Sequence, residues 1–426
     1  MPDGTATAHL YRPKLITMVM EGYQAAHFRK DVMAALTVAI VALPLSMAFA
    51  IASGVTPERG LYTAIVGGFL VSALGGSRFQ IGGPAGAFIL LVSATSAHFG
   101  LQGLLLTVLM SGVLLTLLGL SRLGSLIRHI PHAVTVGFTA GIAIVILSSQ
   151  LRDLLGLTLP GAEPGPLMPK LTALGAAWRT CNPAAFAVGA GSAILIFLQR
   201  RFKPNWPGML LAVIAASLLV ALLHLPVETI GRRFGELPHG LPRPALPPVT
   251  PALLLALLPS ALSFTLLGGV ESLLSAKVAD SMTGRKHRSN MELVAQGIAN
   301  IGSALFGGIA VTGTIARTAT NVRAGAKSPL SGMMHALFLL LFLVIAAPLA
   351  GYVPLAALAG VLVVVCWYMV EKKEFTVLLR NWPSAVVLLA TFILTIFRDL
   401  TAGIIAGCLL AALLAIFHRK VREEGA

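Results

Sequence analysis

A succession of apolar stretches, each about 20 residues long and separated by short basic loops, leaves this chain almost no choice of fold. Hydrocarbon offers the backbone no hydrogen bonds, so a stretch of that length satisfies its own N–H and C=O groups as a membrane-spanning helix. Hydrophobic residues make up 56% of the 426 and charged residues 11%, whereas a soluble domain carries about 25% charged residues. Mean hydropathy is +0.87. The expected fold class is an all-α polytopic membrane protein.

The stretches fall near 32–52, 57–75, 85–97, 102–120, 132–150, 183–199 and 208–224. A Pro-rich polar stretch, 225–251, intervenes, and they resume near 252–277, 290–306, 313–322, 330–347, 354–370, 383–397 and 400–418. That is fourteen, seven on each side of the Pro-rich stretch, and the third of each half is short and broken by glycine. Matched short segments in two halves predict an inverted repeat, because an odd number of crossings per half forces opposite orientations.

The net charge of +15 reports topology. No basic stripe is interleaved with aromatics as nucleic-acid binding requires, and the cations collect in alternate loops: Arg122 and Arg128, Arg200, Arg201 and Lys203, Arg285, Lys286 and Arg288, Arg323 and Lys327, Lys372, Lys373 and Arg380, and Arg419, Lys420 and Arg422. Placing those loops inside puts both termini in the cytoplasm and makes the RKHR run at 285–288 a headgroup anchor. The first thirty residues lack an apolar signal region and read as a cytoplasmic lead-in. Cys181, Cys366 and Cys408 show no metal spacing, and His129 and His132 share no face with another ligand, so no metal site and no cofactor is expected. The chain contains no Walker A loop, HExxH or GxSxG motif. It does not read as an enzyme.

Glu271 in LLGGVESLLSA and Arg317 in VTGTIARTATN are charges set inside apolar stretches. An ionised side chain in hydrocarbon costs at least a few kcal/mol, so both are expected to face a polar cavity, beside the breaks made by Gly268, Gly269, Gly313 and Thr314. In QIGGPAGAF (80–88), Gly82, Gly83 and Pro84 favour extended backbone before a helix starting near Ala85. In GIAVTGTIARTATN (308–321), a helix begins near Gly313 or Thr314. If the two helix starts face one another, their orphan amides and dipoles form an anion cradle, to which Arg317 adds a full charge. Thr312 and Thr314 are candidates for capping the helix or for donating to substrate. Pro44 is expected to kink the first span, with Ser46 and Phe49 as cavity candidates, and Gly403 and Gly407 read as a helix-packing pair.

These residues carry a resemblance. LTVAIVALPLSMAFAIASGVTPERGLYTAIVGGFL (36–70), IGGPAGAF, GGVESLLSAKVAD (268–280) and TGTIARTATNVRAGAKSPLSG (312–332), in that order, resemble the SulP family of anion permeases, the sulfate permease group. The resemblance implies two inverted seven-segment repeats divided into core and gate, with half-helices at segments 3 and 10 meeting at mid-membrane. After a cytoplasmic segment 1–31, the core would comprise 32–120 and 252–347 and the gate 121–224 and 348–418, joined by an extracellular linker 225–251. Relatives commonly follow the last span with a STAS domain; the tail 419–426 is too short to be one, and none is expected within this sequence. Substrate contacts are expected from Ala85, Gly86, Ala87 and Phe88, from Thr312, Gly313, Thr314, Ala316 and Arg317, and from Ser46 and Phe49. Where many relatives place glutamine after the first-segment proline, this chain has Leu45 and Ser46.

The expected function is secondary active transport of a small anion by an elevator movement, in a homodimer within the bacterial inner membrane. Proton-coupled symport of a dicarboxylate such as fumarate or succinate leads. Sodium-coupled bicarbonate transport and proton-coupled sulfate transport are the alternatives, and a passive anion channel is the alternative of a different class. Glu271 is the expected proton-coupling residue, and no further acidic residue within the spans is expected to complete a sodium shell.

Overall fold

The structure, a computed structural model, describes residues 11–122, 124, 131–161, 163–164, 166–203, 206–398 and 400–424. Arg128 and His129 lie outside the described residues. A short helix, α1 (Lys14–Met20), precedes α2 (Ala25–Ala52), and then α3 (Pro57–Tyr62) passes through a π-helical turn, Thr63–Gly67, into α4 (Gly68–Leu74). Strand β1 (Gly82–Gly83) leads through a 3-10 turn, Gly86–Phe88, into α5 (Ile89–Leu120), followed by α6 (His132–Leu155), α7 (Pro183–Phe202) and α8 (Gly208–Leu222). The second half repeats the order: α9 (Pro251–Thr283), α10 (Ser289–Leu305), β2 (Thr312–Gly313), α11 (Ile315–Arg323), α12 (Leu330–Ile345), α13 (Leu355–Met369), α14 (Trp382–Phe397) and α15 (Leu400–Glu424). Among the described residues, 6 helices are long and apolar enough to cross a membrane alone, and further apolar helices of 10–17 residues accompany them.

The first boundary differs from the sequence reading. The first helix starts at Ala25, ahead of the expected 32, and so takes in Asp31, which is wholly buried. The stretches near 85–97 and 102–120 are two helices that meet at Gly100, where the backbone leaves helical geometry (φ 66°, ψ −175°), and α5 denotes the two together. That positive-φ backbone costs glycine little, so one helix ends and the next begins in a new direction at a single residue. Pro44 sits inside α2, with helix on both sides of it; the ring removes one hydrogen bond, which the surrounding helices tolerate.

Helix packing sorts into two sets. In one, α5 lies along α10 and α9, α12 packs on α2 and α4, and α11 is held between α9 and α2. In the other, α6 packs on α14 and α13, α7 on α13 and α8, and α14 on α15. Small residues allow close approach in both. A methyl on Gly112 of α5 would stand 2.7 Å from the Gly297 carbonyl oxygen of α10, and one on Gly360 of α13 would stand 2.3 Å from the Gly189 carbonyl oxygen of α7. Gly403 and Gly407 serve the same purpose, pressed onto Thr395 and Thr391 of α14. The Pro-rich stretch is tied down by backbone bonds from Ile230 N to Val353 O (2.9 Å) and from Leu355 N to Glu228 O (3.0 Å).

Candidate functional site

The two short segments meet as a two-stranded antiparallel ribbon, Gly82 opposite Gly313 and Gly83 opposite Thr312. Side chains extend the ladder where the strands run out. Thr314 N donates to Ile81 O (3.0 Å), and Ile81 N donates to Thr318 Oγ1 (3.1 Å). Asn300 of α10 treats Val311 as a third strand would, accepting from its N–H and donating to its carbonyl, both at 2.9 Å. From α9, Ser272 Oγ accepts from Gly313 N (3.2 Å) and lies 3.0 Å from Thr312 Oγ1, while Ser275 Oγ donates to Thr318 Oγ1 (3.0 Å). Buried backbone polar groups are expensive to leave unpaired, and these side chains let an extended ribbon persist inside a helical bundle. From α3, Arg59 Nη1 reaches Gly307 O at 2.7 Å.

Both helices that follow the ribbon start at it, α5 through Gly86–Phe88 and α11 from its N-cap Thr314. Arg317 is 2% exposed and reaches back across the ribbon, Nη2 donating to Pro84 O at 3.2 Å, while Nη1 has no protein partner. Phe88 stacks in a tilted pair with Phe264 of α9, centroids 5.5 Å apart. A methyl on Gly86 would meet Ile146 of α6 at 2.9 Å, Phe49 of α2 at 3.3 Å and Met369 of α13 at 3.8 Å. The first helix start therefore abuts both packing sets.

Ala85, Gly86, Ala87, Phe88, Thr312, Gly313, Thr314, Arg317, Ser46 and Phe49 are all buried; Ala316 is exposed and Glu271 half-buried. Neither threonine caps α11. Thr314 Oγ1 turns to Ile81 O (3.3 Å) and Thr312 is spent on Ser272, because the ribbon's own unpaired groups lie nearer. Ser46 is wholly buried, its Oγ unpartnered. Glu271 Oε2 is buried and unpartnered, and no ion pair joins it to Arg317 or another cation among the described residues.

A second acidic residue does stand within the spans, apart from Glu271. Glu292 of α10 is wholly buried, accepting from Ser77 N at 2.8 Å and from Gln296 Nε2 at 3.5 Å. It braces the turn before β1 and does not reach the ribbon's helix starts. Sequence reasoning also missed Asn300, Ser272, Ser275 and Thr318, and His335 of α12, wholly buried with both ring nitrogens unpartnered. No group of three metal-ligating side chains occurs among the described residues; His132 lies 3.4 Å from Glu374 alone. A cavity of about 580 Å³ lies elsewhere, lined by His224, Arg232 and Tyr352 among others, and touches none of the candidates.

A mostly helical bundle with several apolar helices, whose two short broken segments pair beside a buried arginine, defines a helical membrane protein. The sequence profile of the Sulfate permease family matches residues 28–394, and the chain belongs to that family. YvdB of Bacillus subtilis (strain 168) is 44% identical over 95% of this chain and 76% of its own. The bicarbonate transporter BicA of Picosynechococcus sp. is 32% identical over 92% of this chain and 71% of its own. The solved transmembrane domain of a cyanobacterial BicA superposes with a TM-score of 0.81 at 30% identity, covering 90% of this chain and 98% of that one. Murine Solute Carrier 26 family member A9, an anion transporter, shares the fold at a TM-score of 0.88 and 18% identity, covering 98% of this chain and 73% of that one.

Proposed function

We propose that this chain is a secondary active transporter of a small oxyanion, working by alternating access. The observation that carries this reading is the ribbon, which brings two helix starts and the Arg317 guanidinium together in a buried setting. First-turn N–H groups have no intrahelical partners, and the helix dipoles favour negative charge at those ends. Arg317 Nη1, buried and unpartnered, is a donor suited to an anion oxygen. A cation would be repelled by all three.

Two names support the substrate class: BicA is a bicarbonate transporter and the family is that of the sulfate permeases, which favours bicarbonate or sulfate over the dicarboxylate that sequence reasoning puts first. The two helix-packing sets supply the moving parts. Helices α2–α5 and α9–α12 act as a core carrying the ribbon, and α6–α8 and α13–α15 act as a gate, an elevator arrangement in which Gly86 slides against Ile146 and Met369. Glu271 supplies the coupling proton site, in a homodimer with both termini cytoplasmic in the inner membrane. The test is uptake into liposomes of labelled bicarbonate, sulfate, chloride, fumarate and succinate, with and without a proton or sodium gradient, and with a cysteine pair cross-linking α2 to α13. Saturable uptake stopped by the cross-link supports the carrier; conductance of channel size, or uptake indifferent to the cross-link, refutes it.

A further inference from the structure

The amino-terminal segment is docked along the ends of the core helices at one end of the bundle. Lys14 N donates to Gly75 O (2.9 Å), Tyr11 OH to Leu120 O (2.9 Å), and Arg288 Nη1 to Arg12 O (2.6 Å) and Thr17 Oγ1 (2.9 Å). Met18 of α1 is buried against the protein at 6% exposure, yet the outward face is apolar: Ile16, Val19 and Met20 are 48, 64 and 67% exposed. A helix facing water turns polar residues outward, whereas this one presents the face of a helix lying in the plane of a membrane interface.

Around the docked side gather five cations: Arg12, Lys14, Arg78, Arg285 and Arg288. Two carboxylates stand among them. Glu21 is shared by Arg78 and Arg285, and Asp280 is occupied by the His287 ring (2.6 Å) and the His287 backbone N–H (3.0 Å). The Lys14 amine is held below its ordinary value, by burial first and then by the charges of Arg288 and Arg78, with Asp280 and Glu21 opposing too weakly. Burial, Arg12 and Arg78 lower Arg288 likewise, against Glu21. Positive charge here exceeds what the protein itself neutralises.

We propose that Arg12, Lys14 and Arg288 form a site for the phosphate headgroup of an anionic phospholipid, whose acyl chains lie along the exposed Ile16, Val19 and Met20 face of α1. Charge complementarity selects an anion, and the apolar face beside it selects one that carries hydrocarbon, in preference to free phosphate or a nucleotide. Because the segment bonds loops of both repeats, the 75–78 turn of the first and the 285–288 loop of the second, the lipid fastens the two halves of the core at that end. The inference does not rest on which anion is transported.

The experiment titrates the purified full-length chain in neutral detergent with phosphatidylglycerol, phosphatidylcholine or inorganic phosphate and follows the thermal midpoint. Phosphatidylglycerol is expected to raise the midpoint well beyond phosphatidylcholine, and the preference should collapse between about 50 mM and about 500 mM salt as screening shortens. The double variant Arg12→Gln/Lys14→Gln should lose about 25-fold in affinity for phosphatidylglycerol, about fivefold for each charge removed. Val19→Ser/Met20→Ser should weaken phosphatidylglycerol binding with the same salt sensitivity. Equal response to the two lipids, a preference that survives high salt, a double variant with wild-type affinity, or inorganic phosphate matching phosphatidylglycerol overturns the proposal. The wild-type lipid and salt arms decide even if a variant fails to fold.

Discussion

Arg317 and Gly83 share one volume: a methyl on Gly83 would stand 2.3 Å from Arg317 Nη1, and the same guanidinium donates through Nη2 to Pro84 O at 3.2 Å. The backbone of the first half thereby seats the cation of the second. Gly83→Ala should push the guanidinium off that seat and weaken apparent affinity for the transported anion by about tenfold, the equivalent of roughly 1.4 kcal/mol. Concentration-dependent uptake in proteoliposomes reads this directly. An unchanged half-saturation concentration would mean that Arg317 needs no such seat.

Removing the guanidinium itself should cost more. A charge-assisted hydrogen bond contributes about 1.5–3 kcal/mol, so Arg317→Ala should lower affinity by roughly ten- to a hundredfold. Lysine should restore only part, because an ammonium lacks the fork that reaches Pro84 O and the anion together. Binding measured by calorimetry on folded variants, alongside uptake, checks both. Wild-type affinity in Arg317→Ala would make the arginine a brace of the ribbon and no more.

The sequence announces both broken segments because glycine and proline leave a local mark, and the helix starts fall within a residue or two of Ala85 and Thr314. The ribbon's supports leave no such mark. Asn300, Ser272 and Ser275 sit in otherwise helical stretches, and what makes them important is a strand edge contributed by a residue 11 to 43 positions away. Glu292 escapes notice for a related reason: its stretch is read by apolar periodicity, which passes over a carboxylate satisfied by the turn at Ser77. Asp31 looks like a loop residue until its acceptors are seen to gather Tyr23 OH, Lys327 N, Ser328 N and Ser328 Oγ. Periodicity reports which face is apolar; it does not report which polar group closes another segment's ladder.

Asn300 tests that distinction. Asn300→Leu keeps the branched outline of the side chain but leaves Val311 N and O buried without their partners, at about 1–3 kcal/mol each. Thermal unfolding in detergent should shift down by several degrees, and transport should fall with it. Asn300→Asp should rescue the bond from Val311 N and not the one to Val311 O. Wild-type stability in Asn300→Leu would mean that the ribbon holds without α10.

Glu271 bears on the energy source. It is half-buried in α9, Oε2 has no partner, and among the described residues no cation is paired with it. A carboxyl group without a fixed counter-charge is free to exchange its proton, and a neighbouring anion repels its ionised form. Anion binding then promotes proton binding and, by linkage, the proton promotes the anion to the same degree, which is the condition for symport. Wild-type protein in liposomes, without sodium, should accumulate anion when the proton gradient points inward and should lose the accumulation when an ionophore collapses it. Glu271→Gln, neutral at every pH, should still exchange anion across the membrane but should no longer concentrate it. Accumulation by the wild type that ignores the proton gradient, or by Glu271→Gln when that gradient is the only driving force, would remove Glu271 from the coupling step and direct attention to sodium.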